Sequence, residues 1–349
     1  MAINLTTKFS SKVDERFKLQ SLTDEHAGHN YEFNGAAGIK VYSIDTVPVV
    51  DYTRSGQSRF GTAVELGDTV QEMLMSQDKA FTFTVDAGNA ADQMNTKHVS
   101  KRLKVNWDEV ATPMIDKYRL ARWINGAGLG KVNSSALTSS NLMKAIFEAG
   151  AAMNNALVPM GGRTLFISQS LYAAAKLSTQ IVGIDSLGEK ALAKGIVGEL
   201  DGMKVVPVPD SYFPAGVEFL IKYKHATVDP MKLQTLRVHK NPPGIDGDLG
   251  ECRFYYDAFV LGNKVKGLYV YARDGMCQAP TISISGHSAT ITAGDGETVK
   301  YTLDGTDPKT SATAKTYSGA VPTTAGTQVR AYAAKNGSLN SPVAEAIDE

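Results

Sequence analysis

Between His98 and Ile124 apolar residues recur every three or four positions: Val99, Leu103, Trp107, Val110, Met114, Tyr118 and Ala121. Lys101, Arg102, Lys104, Asp108, Asp116, Lys117 and Arg119 fall largely off that stripe. The period is helical, and it predicts one long amphipathic helix with the first set on its buried face. Pro113 lacks an N–H and predicts a bend or break within it. Asn125-Gly126 predicts its stop.

The text on either side reads differently. "IKVYSIDTVPVVDY" and "KAFTFTVDAGN" are rich in β-branched and aromatic residues and predict strands. The polar stretch from Thr53 to Asp78 between them predicts a long projecting loop, a length that inside a compact body marks function. After the long helix come a second helix from a Ser139-Ser140 cap to about Ala156, a buried strand at 163–169 and a helix at Leu171–Leu177. "GMKVVPVP", "VEFLIKY" and "LQTLRVHK" predict further strands, the last ending in a tight turn. "CRFYYDAFVLGNKVKGLYVYAR" predicts a hairpin turning at Gly262-Asn263. This body is mixed α+β.

At "MCQAP" (276–280) the pattern changes again. From Thr281 helical periodicity stops, and "TISIS", "SATITA", "TVKYTL", "AKTYS" and "TQVRAYAA" alternate with turn residues, as in a small β-sandwich. The 349 residues suit two unequal domains, and 43% hydrophobic content supports a sizeable core. Lys plus Arg equals Asp plus Glu, 36 each, so the basic excess of a nucleic-acid binder is missing. Neutrality also removes a barrier to self-association. Two cysteines, Cys252 and Cys277, suit a reducing compartment: Cys252 is expected in a core strand, Cys277 exposed at a linker. The opening lacks an apolar h-region and no apolar run reaches membrane-spanning length, so neither secretion nor a span is expected.

Chemistry-bearing motifs are few. "NGAGLGKVNSS" (125–135) imitates a phosphate loop, but it follows a helix and has the wrong spacing. His26 and His29, near Asp24 and Glu25, lack a second ligand pair, so a solvated arm is expected there and no metal. "PGIDGDLGE" (243–251) reads as a turn. In "YTLDGTDPKT" (301–310), Asp304 and Asp307 offer oxygens, yet Asp304-Gly305 and Asp307-Pro308 are turn chemistry, and the turn is favoured over a calcium cage. No catalytic triad, cofactor loop or metal set emerges, and no enzyme is expected.

"VYSIDTVPVVDYTRSGQSRFGTAVELGDTVQEMLMSQDKAFTFTVDAGN", "SKRLKVNWDEVATPMIDKYRLARWING", "GMKVVPVPDSYFPAGVEFLIKYKHATVDPMKL" and "YYDAFVLGNKVKGLYVY", in that order, resemble the major capsid protein of tailed bacteriophages. That is the Hong Kong 97 type coat fold, shared with encapsulin shells, and the resemblance covers about residues 1–275. It implies an N-terminal arm (1–35), an extended loop (39–88), a peripheral domain (92–165 and 251–276) on a long spine helix, and an axial domain (170–250). "VKYTLDGTDPKTSATAKTYSGAV" and "TQVRAYAAKNGSLNSPV" resemble a bacterial immunoglobulin-like module of the chitobiase C-terminal kind, here 280–349. The implied function is an icosahedral head of hexamers and pentamers around double-stranded DNA. The DNA would be touched weakly and non-specifically, and the module carried outside for decoration or weak adhesion to a glycan or cell surface. A separate scaffolding protein and a portal are implied partners, because the opening is too short for a built-in scaffold. An encapsulin shell, or a carbohydrate-binding surface protein, is the alternative.

On the extended loop, Arg54, Arg59, Glu65, Asp68, Glu72 and Asp78 supply both signs for contacts between identical copies. Some members of the family cross-link through a loop lysine. Here the first lysine after Thr53 is Lys79, so a non-covalent shell is expected.

Overall fold

The computed structural model describes residues 20–28, 38–44, 49–63, 65, 68–88, 99–176 and 198–348. Residues 1–19 of the expected N-terminal arm, and His29, lie outside the described residues. Strand β1 (Gly38–Ile44) pairs antiparallel with β2 (Asp68–Leu74), and β3 (Gln77–Asp86) follows directly. The projecting loop is therefore shorter than Thr53–Asp78. Its C-terminal part is strand, because Val41, Met73 and Met75 bury together with Val228, Phe259 and Leu261 at its base.

The long helix has three parts: α1 (Val99–Asn106), a π-helical turn (Trp107–Ala111) and α2 (Thr112–Asn125). The π turn comes just before Pro113, which cannot donate to a preceding carbonyl. The π turn holds one residue more than an α turn, so it rotates the following stripe by about 100°. The expected face holds only up to that turn. Val110 within it and Met114 beyond it are exposed, while Ile115, Leu120, Trp123 and Ile124 are buried, and with them Asp116 and Arg119. The rotation lets one helix serve two sheets. Val99 and Leu103 of α1 pack on a three-stranded sheet, and α2 packs on a larger one.

The larger sheet collects β4 (Leu129–Val132), β5 (Arg163–Ser168), β6 (Glu199–Leu200), β7 (Met203–Val208), β8 (Val217–Tyr223) and a late strand. Helices α3 (Leu142–Asn155) and α4 (Gln169–Lys176) cover the face opposite α2, giving three layers. β5 is buried at every position, as a strand covered on both faces must be. Asn141, not the serine pair, stands at the N-cap of α3; its Oδ1 accepts from the Thr138 N–H.

After β9 (Thr227–Val228), β10 (Met231–Lys240) and β11 (Gly247–Tyr256) join β3 in the three-stranded sheet, in the order β10-β11-β3. The 243–251 stretch is thus a turn only to Asp246. The expected hairpin at Gly262-Asn263 does not form. β12 (Phe259–Val260) pairs with β9, residues 262–267 make a 3-10 turn, and β13 (Leu268–Ala272) inserts between β4 and β8. Tyr269 and Tyr271 stack on Phe219, whereas β11 is held by Trp107 and Phe81 on the other sheet, so adjacent strands part company. β10 and β11 (231–256) thus share a sheet with β3, while β5 shares one with β13.

The sandwich pairs β14 (Thr281–Ser285), β15 (Ser288–Thr292) and β18 (Val321–Pro322) in one sheet. The other contains β16 (Thr298–Thr302), β17 (Lys315–Thr316), β19 (Gln328–Ala334) and β20 (Ala344–Ile347). Cys277 is buried in the core of this sandwich rather than exposed, because the connector folds back through a Met276–Leu339 bridge. Cys252 is buried on β11, and both thiols are free.

Candidate assembly surfaces and the sandwich junction

The loop tip at 49–63 is ordered by its own contacts. Thr53 N–H donates to the Arg59 carbonyl at 3.1 Å and Gly61 N–H to Ser58 at 2.9 Å. Gly56 and Gly61 take positive φ, and Gly61 lies against Val50, where a Cβ would stand 2.8 Å from its Cγ2. Tyr52 and Phe60 meet edge to face, centroids 5.0 Å apart. The outcome is a self-supported surface of Val49, Val50, Tyr52 and Phe60; Val49 is 100% and Phe60 85% exposed. Together they form an exposed apolar patch on an otherwise polar loop.

The charges expected to act between copies divide. Arg54, Arg59 and Glu65 are exposed on or beside the tip, Arg59 using one N–H on the Gly56 carbonyl. Asp68 opens β2, and Glu72 sits opposite Lys40 on β1. Asp78 is engaged within the chain: Arg253 grips both its oxygens, holding the carboxyl below its usual range. Sequence reasoning missed the residues that fix the loop base. The Gln71 side chain donates to the Val260 carbonyl and accepts from Gly262 N–H. Buried Asp257 accepts from Ser76 N–H (2.7 Å), Ser76 hydroxyl and Tyr118 hydroxyl (2.7 Å).

A second device is the strap 20–28, which lies on α2 and the large sheet of its own chain. Asp116 accepts from Ser21 and Thr23 hydroxyls and Leu22 N–H, and Arg119 reaches Thr23 and Asp24. Asp116 is thus answered by three hydrogen-bond donors and Arg119 by the Asp24 carboxylate, so their place on the core side is tolerable. Lys222, with its ammonium 4.5 Å above the Trp123 ring, donates to the His26 carbonyl. Burial pushes this lysine down to about 8. Asp229 accepts from Gly28 N–H, Thr227 hydroxyl and Trp123 Nε1. His26 is packed rather than solvated: it touches Phe166 edge-on and Thr164 Oγ1, and burial, aided by Lys204, lowers it to about 4.

The glycine-rich stretch after α2 and "YTLDGTDPKT" meet each other. Asp304 organises its own loop, accepting from Thr306 N–H and hydroxyl and from the Thr313 hydroxyl. Gly305 has φ +72° and gives its carbonyl to Arg330. Asp307 is buried; one oxygen takes the Thr310 hydroxyl and the other has no partner. Pro308 is buried in the turn. The turn carries Lys309, whose ammonium donates to the carbonyls of Asn125 (3.0 Å) and Ala127 (2.7 Å) at the end of α2. Burial brings this lysine to about 8, opposed by Asp307. Asn340 N–H donates to Asn125 Oδ1, and Val343 N–H to the Gly128 carbonyl.

No group of three or more His, Cys, Asp or Glu that could hold a metal occurs among the described residues, and none of their helices is long and apolar enough to cross a membrane. Residues 289–346 match the family described as "Fn3 associated". No curated protein sequence matches the chain. Among solved structures, one of Mycobacterium phage Che8 is similar at TM-score 0.66 and 17% identity, over 78% of this chain and 99% of that one. A subunit in the capsid structure of cyanophage P-SCSP1u aligns at 0.62 and 14%, over 77% and 93%. One in the mature capsid of bacteriophage PhiM1 aligns at 0.62 and 11%, over 77% and 91%. The α+β body has the fold of these phage capsid structures, the Hong Kong 97 type, with a small all-β module added at its end.

Proposed function

We propose that the chain is a major capsid protein that assembles, as hexamers and pentamers, into an icosahedral head around double-stranded phage DNA. The observation that carries this is the fold. The body aligns with 91–93% of the length of the two subunits described as belonging to capsids. A polymerising subunit needs contacts that are individually weak and jointly strong, and the ordered apolar tip at 49–63, with Arg54, Arg59 and Glu65 around it, fits a contact with a second copy. In this reading residues 1–276 form the coat part and 280–349 the module. The role is structural, with a separate scaffolding protein and a portal as partners and packaged DNA touched weakly.

Electron microscopy of the purified, overexpressed chain tests the proposal. Shells or capsomers are expected, and a population of monomers at high concentration overturns it. Boiling such particles in detergent and reductant is expected to give single subunits, since the region from Thr53 to Asp78 holds no lysine for a cross-link.

A further inference from the structure

We propose that the small sandwich is the C-terminal cap of the spine helix, locked onto the body by Lys309, and not a freely hinged appendage. The inference goes beyond the capsid reading, because it rests on contacts within one chain. A helix leaves its last carbonyls without intrahelical partners, and they carry the negative end of its dipole. In α2 the Gly126 and Ala127 N–H groups close on Arg122 and Ile124. The carbonyls of Asn125 and Ala127 are then satisfied by Lys309 of the other domain. A cation at that place matches the dipole as well as the hydrogen bonding.

Other contacts fasten the same seam. Besides the bonds of Asn340 and Val343, Lys266 pairs with Glu345 at 2.8 Å, and Gln278 reaches the Val132 carbonyl. Leu339 packs against the core that holds Leu120 and Trp123. The connector is part of the seam, with Cys277 N–H donating to the Leu339 carbonyl and Leu339 N–H to Gly275.

The glycines on the body side fit a close approach. A Cβ at Gly130 would stand 2.9 Å from Pro342 Cγ, and one at Gly262 would stand 3.0 Å from Thr310 Oγ1. The phosphate-loop lookalike and the calcium-loop lookalike are thus the two halves of one junction. Glycine serves backbone proximity on one side; the Asp-Pro turn aims a lysine from the other.

The full chain tests this with Lys309→Met, which keeps the aliphatic stem and removes the donors. Wild-type chain is expected to melt in one transition that includes both parts. Lys309→Met is expected to lower the midpoint by about 3–8 °C and to speed amide exchange at Val343 and Asn340 at least roughly tenfold, as local opening does. Lys266→Met, at the partly exposed rim, is expected to move it by about 1 °C or less. Should Lys309→Met not fold, Asn125→Ala removes only the acceptor for Asn340 and is expected to raise exchange selectively there. Two separate wild-type transitions, or unchanged midpoint and exchange in Lys309→Met, overturn the proposal, as does unchanged Asn340 exchange in Asn125→Ala.

Discussion

A Cβ on Gly28 would stand 1.8 Å from the carbonyl oxygen of Thr227, closer than any nonbonded contact allows. The strap therefore reaches Asp229 only because residue 28 has no side chain: Asp229 N–H donates to the Gly28 carbonyl at 2.8 Å, and Gly28 N–H donates to the Asp229 carboxylate at 2.9 Å. Gly28→Ala is expected to displace residues 20–28 and cost about 1–3 kcal/mol. Urea denaturation reads the loss, and limited proteolysis should show new cleavage within the strap while the β5 region stays resistant.

Acid should loosen the same strap. His26 faces Lys204, Lys222 and Lys224 as well as Glu25, and its folded value near 4 lies below its unfolded 6.5. Between those values the unfolded chain binds more protons, so stability falls as pH drops from 6.5 to 4. With discount for its partial exposure, the share from His26 is about 1–2 kcal/mol. His26→Gln should remove that share from the difference between denaturation at pH 7 and pH 4; an undiminished difference would show that carboxylates alone set the acid limit.

Alkali should act in the opposite sense. Lys222 and Lys309 both have folded values near 8 against 10.5 unfolded. The unfolded chain again holds the extra protons, so each lysine adds about 2 kcal/mol as pH rises from 8 to 10. Above pH 10 Tyr118 and Tyr269, pushed up to about 12 by burial, reverse the trend. Equilibrium denaturation between pH 7.5 and 10 should show the rise, and Lys309→Met should flatten part of it.

Phe60 is exposed on the loop tip, so Phe60→Ser should leave subunit stability within about 0.5 kcal/mol. If the tip contacts a second copy, the same change should raise the concentration needed for assembly about tenfold or more. Light scattering during assembly measures this. Equal assembly by both chains would remove the tip from the contact set.

Much of the architecture was legible in local pattern. The stop at Asn125-Gly126, the β5 run and the strands of the sandwich each follow from periodicity and turn residues. The π turn was not, because the apolar spacing at 107–114 continues a helical stripe whether or not one residue is extra. Nor was the fate of β11 and β13: a Gly-Asn pair between strands reads as a hairpin, and only Phe219 on β8 shows where Tyr269 and Tyr271 go. The loop charges were visible, but the bond of Asp78 with Arg253 depends on pairing 175 residues apart. Lys309 beside Asp-Pro looks like a solvated turn residue. Alternate glycines at 126, 128 and 130 were the available signal, since glycine so near a strand marks close backbone approach.

The lysine that closes α2 lies 182–184 residues later in the chain. At typical rates of synthesis, about 5–20 residues per second, those carbonyls wait about 10–40 s for their partner. A ribosome that stalls before residue 309 releases a body whose spine helix ends open and whose glycine seam is bare. The stability of a segment made early is therefore completed by one made late, and a chain that stops before residue 309 lacks the joint that closes its helix.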